Sequence, residues 1–130
     1  MKQRPYTLVI LSAEVSSLTW ERNKLRSDAL GACLLALGYD YDKCEGTYQG
    51  KSETSYAVKA YPDIYAPLSV LDDLAFKTFG QECILVIEAA DTAVLWFKDG
   101  TFKHIGTWVE AIPNPYEDYT RIGLRTFVVR

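Results

Sequence analysis

The chain predicts an α+β fold on the ferredoxin-like βαββαβ plan with additional C-terminal strands. Three observations predict it. Thr7–Leu11 and Cys83–Ile87 are continuous five-residue apolar runs, as in strands buried on both faces. A stretch of helical periodicity follows the first run and another precedes the second, and between the two helices lie two strand-like segments meeting at Gly50. With 130 residues, 48% of them hydrophobic, there is material for one core and no second domain, so residues 1–130 read as one unit.

Strand one, TLVIL, is bounded by Pro5 and Ser12. Ser16 or Ser17 can then cap a helix, because a short hydroxyl side chain accepts from the free amides of the first turn. Gly38 can close that helix. Leu18, Leu25, Ala29, Leu30, Cys33, Leu34 and Leu37 recur at helical steps as one apolar stripe, with Trp20, Asn23 and Arg26 on other faces. Tyr41–Tyr48 and Glu53–Tyr61 then read as a hairpin with irregular edges. Pro62 and Pro67 break the chain before a second helix, which has a capping-box-like start at Ser69–Asp72, continues through Leu74, Ala75 and Phe79, and stops at Gly80. Beyond Cys83–Ile87, Thr92–Lys98 and Thr101–Ile112 flank Asp99-Gly100, a type I′ turn signal. Pro113–Tyr119 is an extended loop and Thr126–Val129 a closing strand. A ferredoxin-like sheet has one face under its helices and the other open, which predicts a trimer with the open faces turned inward.

The bulk numbers exclude several classes. A net charge of −3, from 17 acids and 14 bases, disfavours a phosphate- or membrane-gripping protein and is too balanced for a DNA mimic. Cys33, Cys44 and Cys83 are odd in number and lack metal-ligand spacing, so they read as reduced thiols of a cytoplasmic protein, Cys33 and Cys83 within the core. The apolar run near the start is too short for a signal-peptide core or a membrane span. His104 is the single histidine and stands outside any Cys or Asp cluster, so it reads as a structural or surface histidine and no metal is expected. No serine nucleophile elbow, phosphate-cradling loop or dinucleotide fingerprint is present.

Tyr41–Tyr56 stands apart. It concentrates three tyrosines, two glycines, a glutamine and two glutamates, too polar for core and too aromatic for a plain linker. Glu53 sits among Tyr48, Gln49, Ser52 and Tyr56, where hydroxyls and a carboxylate can converge on a small molecule; an exposed strand charge is the alternative. Of the bases on the first helix, Arg26 stands one helical turn from Asn23, and the others read as a solvated face.

LSAEV at the end of strand one, Asn23-Lys-Leu-Arg26, Thr47–Glu53 and Glu82–Val86 occur in an order that resembles the bacteriophage S-adenosylmethionine lyases, formerly called SAM hydrolases. The resemblance runs over nearly the whole chain as scattered short matches. It implies degradation of S-adenosylmethionine to 5′-methylthioadenosine and homoserine lactone, in service of antirestriction, by a PII-like homotrimer with active sites between subunits and no cofactor. The family glutamate corresponds to Glu53, and its tyrosine partner to Tyr41 or Tyr48. Ser12 and Asn23, with Arg26, Gln49 and Ser52, are candidate substrate contacts. The substrate carries its own carboxylate nucleophile and thioether leaving group, so no protein base is required, and positioning can supply roughly 7–11 kcal/mol. A carboxylate against the sulfonium would stabilise the reactant more than the less-charged transition state. Glu53 is therefore expected on the α-ammonium or the ribose hydroxyls. A non-catalytic PII-like trimer binding an adenine nucleotide or S-adenosylmethionine is the alternative.

Overall fold

The computed structural model describes residues 4–61 and 68–130. In chain order the elements are β1 (Thr7–Leu11), α1 (Trp20–Ala36), β2 (Asp40–Tyr48), β3 (Lys51–Ala60), α2 (Leu68–Asp73) with a π-helical continuation Leu74–Thr78, β4 (Cys83–Ile87), β5 (Thr92–Phe97), β6 (Phe102–Glu110), β7 (Thr120–Ile122) and β8 (Arg125–Val129). All eight strands form one closed antiparallel barrel in the order β1-β3-β2-β7-β8-β6-β5-β4, with β4 paired back to β1.

This closure overturns the ferredoxin-like expectation. An open four-stranded sheet would leave β2 and β4 as edges, and neither is one. β4 pairs with β5 from Cys83↔Phe97 to Ile87↔Ala93, and β2 meets β7 at Glu45↔Arg121 and Gly46↔Thr120. The C-terminal strands complete a cylinder instead of extending a sheet, which removes the edges altogether. A bulge between Ala93 and Val94 of β5, opposite Gly106 of β6, turns the sheet. Gly106 is needed there: its φ is 141°, and a Cβ would stand 2.7 Å from the Arg130 carbonyl oxygen. The face thought to be open is covered by the chain's own Trp108 and Phe127, stacked at 4.9 Å, so the argument from an open face to a trimer lapses.

Each central strand therefore faces two cores. Outward, Val9, Leu11, Val58 and Val86 pack under Leu30 and Leu34 of α1 and Leu71 of α2. Inward, Leu8, Ile10, Ala57, Ile87, Ala93 and Trp108 fill one end of the lumen. Full burial of such a side chain contributes roughly 1.5–3 kcal/mol, so the two layers share the stabilisation.

Local details differ from the sequence reading in instructive ways. Thr19, not Ser16 or Ser17, caps α1, accepting from the Arg22 amide at 3.3 Å. Gly38, at φ 77°, closes it with Gly38 N–H donating to Leu35 and Tyr39 N–H to Leu34, a Schellman pair. The buried face of α1 is Ser27, Leu30 and Leu34, leaving Leu25, Ala29 and Leu37 exposed. The helix is turned this way because Asn23 and Arg26, on the buried side, bond the loop after β1. Gln49 and Gly50, at φ 52° and 79°, make the type I′ turn of a regular β2–β3 hairpin. At Asp99-Gly100 only Gly100 has positive φ; the Gly100 amide donates to the Phe97 carbonyl, so this is a turn plus bulge and not type I′. Ser69 lies inside α2 and not at its cap, while Pro62 and Pro67 fall outside the described residues. β7 went unread because three residues are too few to show alternation.

Candidate active site

β1, β3 and β4 bring their Ser12, Glu53 and Cys83 ends to the same rim of the barrel, since Leu11 pairs with Tyr56 and Ile10 with Leu85. A cavity of about 660 Å³ opens at this rim and enters the lumen. Its inner wall is apolar, with Ile10, Leu85, Leu95, Ile105, Trp108 and Phe127. Its mouth carries Glu14, Glu53, Glu82, Glu117 and Asp118, and among the described residues no lysine or arginine lines it. The field at the mouth is therefore negative and attracts a cation.

Not all five carboxylates are equivalent. Glu117 is held to about pKa 2 by hydrogen bonds from the Arg130 side chain, at 2.9 and 3.0 Å, and from the Asn114 amide. Asp118 accepts from the Gln49 and Gly50 amides at 3.0 and 3.3 Å, tying the loop after β6 to the β2–β3 turn. Glu14 accepts from the Thr54 amide. Among the described residues the Glu53 carboxylate has only a long contact from the Ser55 hydroxyl at 3.5 Å. Burial first and the neighbouring Glu14 charge second push the Glu53 carboxyl above its ordinary value, the Ser55 bond opposing them. A carboxylate desolvated without a cation beside it is suited to receive one from a ligand.

The rim exists because β1 leaves β3 early. The β1–β3 ladder ends at Leu11↔Tyr56. Beyond it, side chains replace the ladder: Ser12 Oγ donates to the Thr54 carbonyl at 2.8 Å while Glu14 takes the Thr54 amide. The loop is fastened from behind. Asn23 exchanges hydrogen bonds with the Val15 amide and carbonyl at 2.8 and 3.0 Å, Arg26 donates to Ala13 at 2.6 Å and to Phe79, and Gln81 donates to the Glu14 carbonyl at 3.1 Å. The Thr54 amide and carbonyl, the Ala13 carbonyl and both backbone groups of Glu14 and Val15 thereby gain side-chain partners.

Of the sequence candidates, Ser12, Tyr48 and Glu53 line the cavity together. Asn23 and Arg26 do not reach it and instead hold the Ala13–Val15 loop that forms its rim. Tyr41 lies on the opposite face of β2, edge-on to Tyr56 at 5.8 Å beside the helix-covered core. Gln49 occupies the turn and Ser52 is exposed opposite Thr47; neither lines the cavity. Sequence reading missed Glu14, Ser55, Glu82 and the Glu117–Tyr119 loop. The parity of β3 could have found Ser55, two residues from Glu53 and so on the same face. Cys83, assigned to the core, is a half-buried cavity residue, its thiol raised by burial and by Glu53 and Glu82. His104 is exposed on β6 with Nε2 3.8 Å from Glu88. Among the described residues no cluster of His, Cys, Asp and Glu is placed to hold a metal, and no helix is long and apolar enough to cross a membrane.

A closed barrel whose apolar lumen opens through an acidic mouth is a site suited to a small molecule that carries positive charge. Residues 9–130 match the family model of the S-adenosylmethionine lyases, and the chain belongs to the S-adenosylmethionine lyase family. It is thus an enzyme whose substrate is the sulfonium S-adenosylmethionine, in keeping with the negative mouth. In a comparison with curated proteins, none matches the chain.

Proposed function

We propose that the enzyme cleaves S-adenosylmethionine by intramolecular substitution. A substrate carboxylate oxygen attacks Cγ, the S–Cγ bond breaks, and its electron pair stays on sulfur. The products are 5′-methylthioadenosine and L-homoserine lactone, with no proton transferred. The observation that carries this reading is Glu53, a half-buried carboxylate with no cation beside it among the described residues, at the mouth of a cavity in a chain of this family. Glu53 binds the α-ammonium and so fixes the folded methionine chain, while Tyr48 and Ser12 contact the same end of the substrate. Reaction neutralises carboxylate against sulfonium, so the apolar wall beyond Glu53 favours the transition state over the charged reactant. No protein nucleophile enters the step, which accords with the raised Cys83 thiol being a poor one.

Consumption of the methyl donor accounts for the antirestriction role in a bacteriophage setting that the resemblance implies, and the reaction belongs in the cytoplasm, where that donor is used. A homotrimer with sites completed between subunits is part of the reading. Its support is the outer face of α1, where Trp20, Leu25 and Leu35 are each at least 70% exposed. Incubating the purified protein with S-adenosylmethionine and separating products by chromatography tests the reaction: methylthioadenosine with the lactone is expected, and unchanged substrate refutes it. Light scattering on the same sample gives the assembly.

A further inference from the structure

A second cavity lies outside the barrel wall. It encloses about 400 Å³ between α2 with its π-helical continuation and the β5–β6 hairpin, and it shares no lining residue with the cavity at the rim. Alternation along β5 separates the two: Leu95 lines the lumen, and Trp96 faces the helix-covered layer, as Phe76 does. Phe102 of β6 pairs directly with Trp96, so both rings stand on that outer face.

Packing alone does not account for this pocket. Phe102 is 64% exposed, and Trp96 and Phe76 are half-buried, so three aromatic side chains line the space without filling it. Asp72 of α2 lines it too, and one oxygen of its carboxylate is buried with no hydrogen-bond partner. Burial first and the adjacent Asp73 second push the Asp72 carboxyl above its ordinary value. The nearby Lys77 is held by Asp73 at 3.3 Å, and among the described residues no lysine or arginine forms an ion pair with Asp72. Lys98 stands at the edge of the pocket, exposed to water.

Aromatic faces beside an uncompensated carboxylate are complementary to a cation. The walls decide which kind. A bare ammonium is strongly hydrated and, like a guanidinium, arrives as a hydrogen-bond donor, while the buried Asp72 oxygen is closed to it. An ammonium whose hydrogens are replaced by methyl groups needs no acceptor and turns an apolar surface to the rings. A volume of about 400 Å³ admits a small molecule of this kind.

We propose that this pocket binds a small quaternary ammonium compound, caged by Trp96, Phe102 and Phe76, with Asp72 supplying the counter-charge. The site is separate from the cavity for the sulfonium substrate and does not depend on the reaction proposed above.

The probes are choline and its uncharged analogue with carbon in place of nitrogen. The reporter is the Trp96 indole N–H resonance, assigned by its loss in Trp96→Phe. Choline should move that resonance and saturate at millimolar concentration, and the carbon analogue should bind at least ~10-fold more weakly. Asp72→Asn and, separately, Phe102→Ala should each weaken choline at least ~5-fold, with turnover of S-adenosylmethionine unchanged. Asp72→Asn keeps the side chain's shape and Phe102 is exposed, so the two variants test the site independently of the fold. The acidic rim cavity is the competing site, and Glu53→Gln should leave the titration of the Trp96 resonance within about twofold of wild type. Binding lost in Glu53→Gln and kept in Asp72→Asn overturns the proposal. Equal affinity for the two probes overturns it, as does a Trp96 resonance that choline does not move. A response that emerges only in Lys98→Gln overturns it as well, because the lysine would then be the pocket's own occupant.

Discussion

Tyr56, Val58 and Ala60 face the helices while Glu53, Ser55 and Ala57 face the lumen, so one strand serves two unlike regions. On the helix side every feature favours packing. The Tyr56 hydroxyl donates to the Ser27 carbonyl at 2.9 Å and sits where a Cβ on Gly31 would be, so helix and strand meet closely. On the lumen side the apolar residues stop part-way, and a carboxylate is left desolvated with a like charge nearby. The difference teaches that the outer layer holds the barrel together, whereas the inner one leaves stability unspent where a ligand completes it.

Exchanging a residue on each face should separate the two roles most sharply. Glu53→Gln should lower kcat/KM for S-adenosylmethionine by at least ~30-fold, since losing one partner of a buried charged contact costs about 2–5 kcal/mol. Circular dichroism should show an unchanged fold, and near-normal methylthioadenosine release would remove Glu53 from the site. Leu34→Ala, on the fully buried outer face, should instead cost about 2–5 kcal/mol of stability with turnover per folded molecule intact, as denaturant titration alongside the product assay would reveal.

A smaller loss is expected at the seam between the regions. Gly106→Ala forces a Cβ toward the Arg130 carbonyl at a φ of 141°, and strain of this kind costs of order 1–3 kcal/mol; an unchanged unfolding midpoint would argue against the barrel corner. The two tyrosines sharpen the comparison further. Tyr48→Phe removes a cavity hydroxyl and should reduce turnover roughly 3–10-fold, the worth of one hydrogen bond, whereas Tyr41→Phe, outside the cavity, should change it less than twofold. Equal losses would mean that β2 contributes both faces to the site.

The least effect is one of pH. Glu53 has a raised folded-state value, so its ionised form is disfavoured in the folded chain. Below the ordinary value of 4.5 the group is protonated folded and unfolded, and it contributes no penalty. As pH rises through the raised folded value the penalty develops. Glu53→Gln should therefore melt above wild type at pH 7, and the gap should close toward pH 4.5. A gap that widens on acidification would reverse the assigned direction. Ligand binding requires the ionised form, so kcat/KM should fall on acidification through the same raised value.

Much of this was legible in residue order. TLVIL and CILVI declared themselves as strands by unbroken apolar runs, and Gly50 and Gly38 marked a turn and a helix end by glycine's freedom at positive φ. Glu53 was singled out because an acid among hydroxyls and glycines is unusual in a strand. Other parts were not legible. Leu25 and Leu30 look alike in a periodicity count, and only Asn23 and Arg26, bonded to Val15 and Ala13, decide which side of α1 turns inward. Glu14 reads as a loop charge until Thr54 is found against it.

The sequence by itself determined the order of most strands and helices and which short segment carries unusual polar chemistry, because local propensity and alternation act within a few residues. It could not determine whether β2 and β4 were edges, since the Glu45↔Arg121 pairing joins residues far apart in the chain and the short β4–β5 connection does not itself say that β5 covers the edge of β4. Only the tertiary structure decided that the sheet closes, and with it that the inward face of β3 lines an acidic cavity and not an oligomer seam.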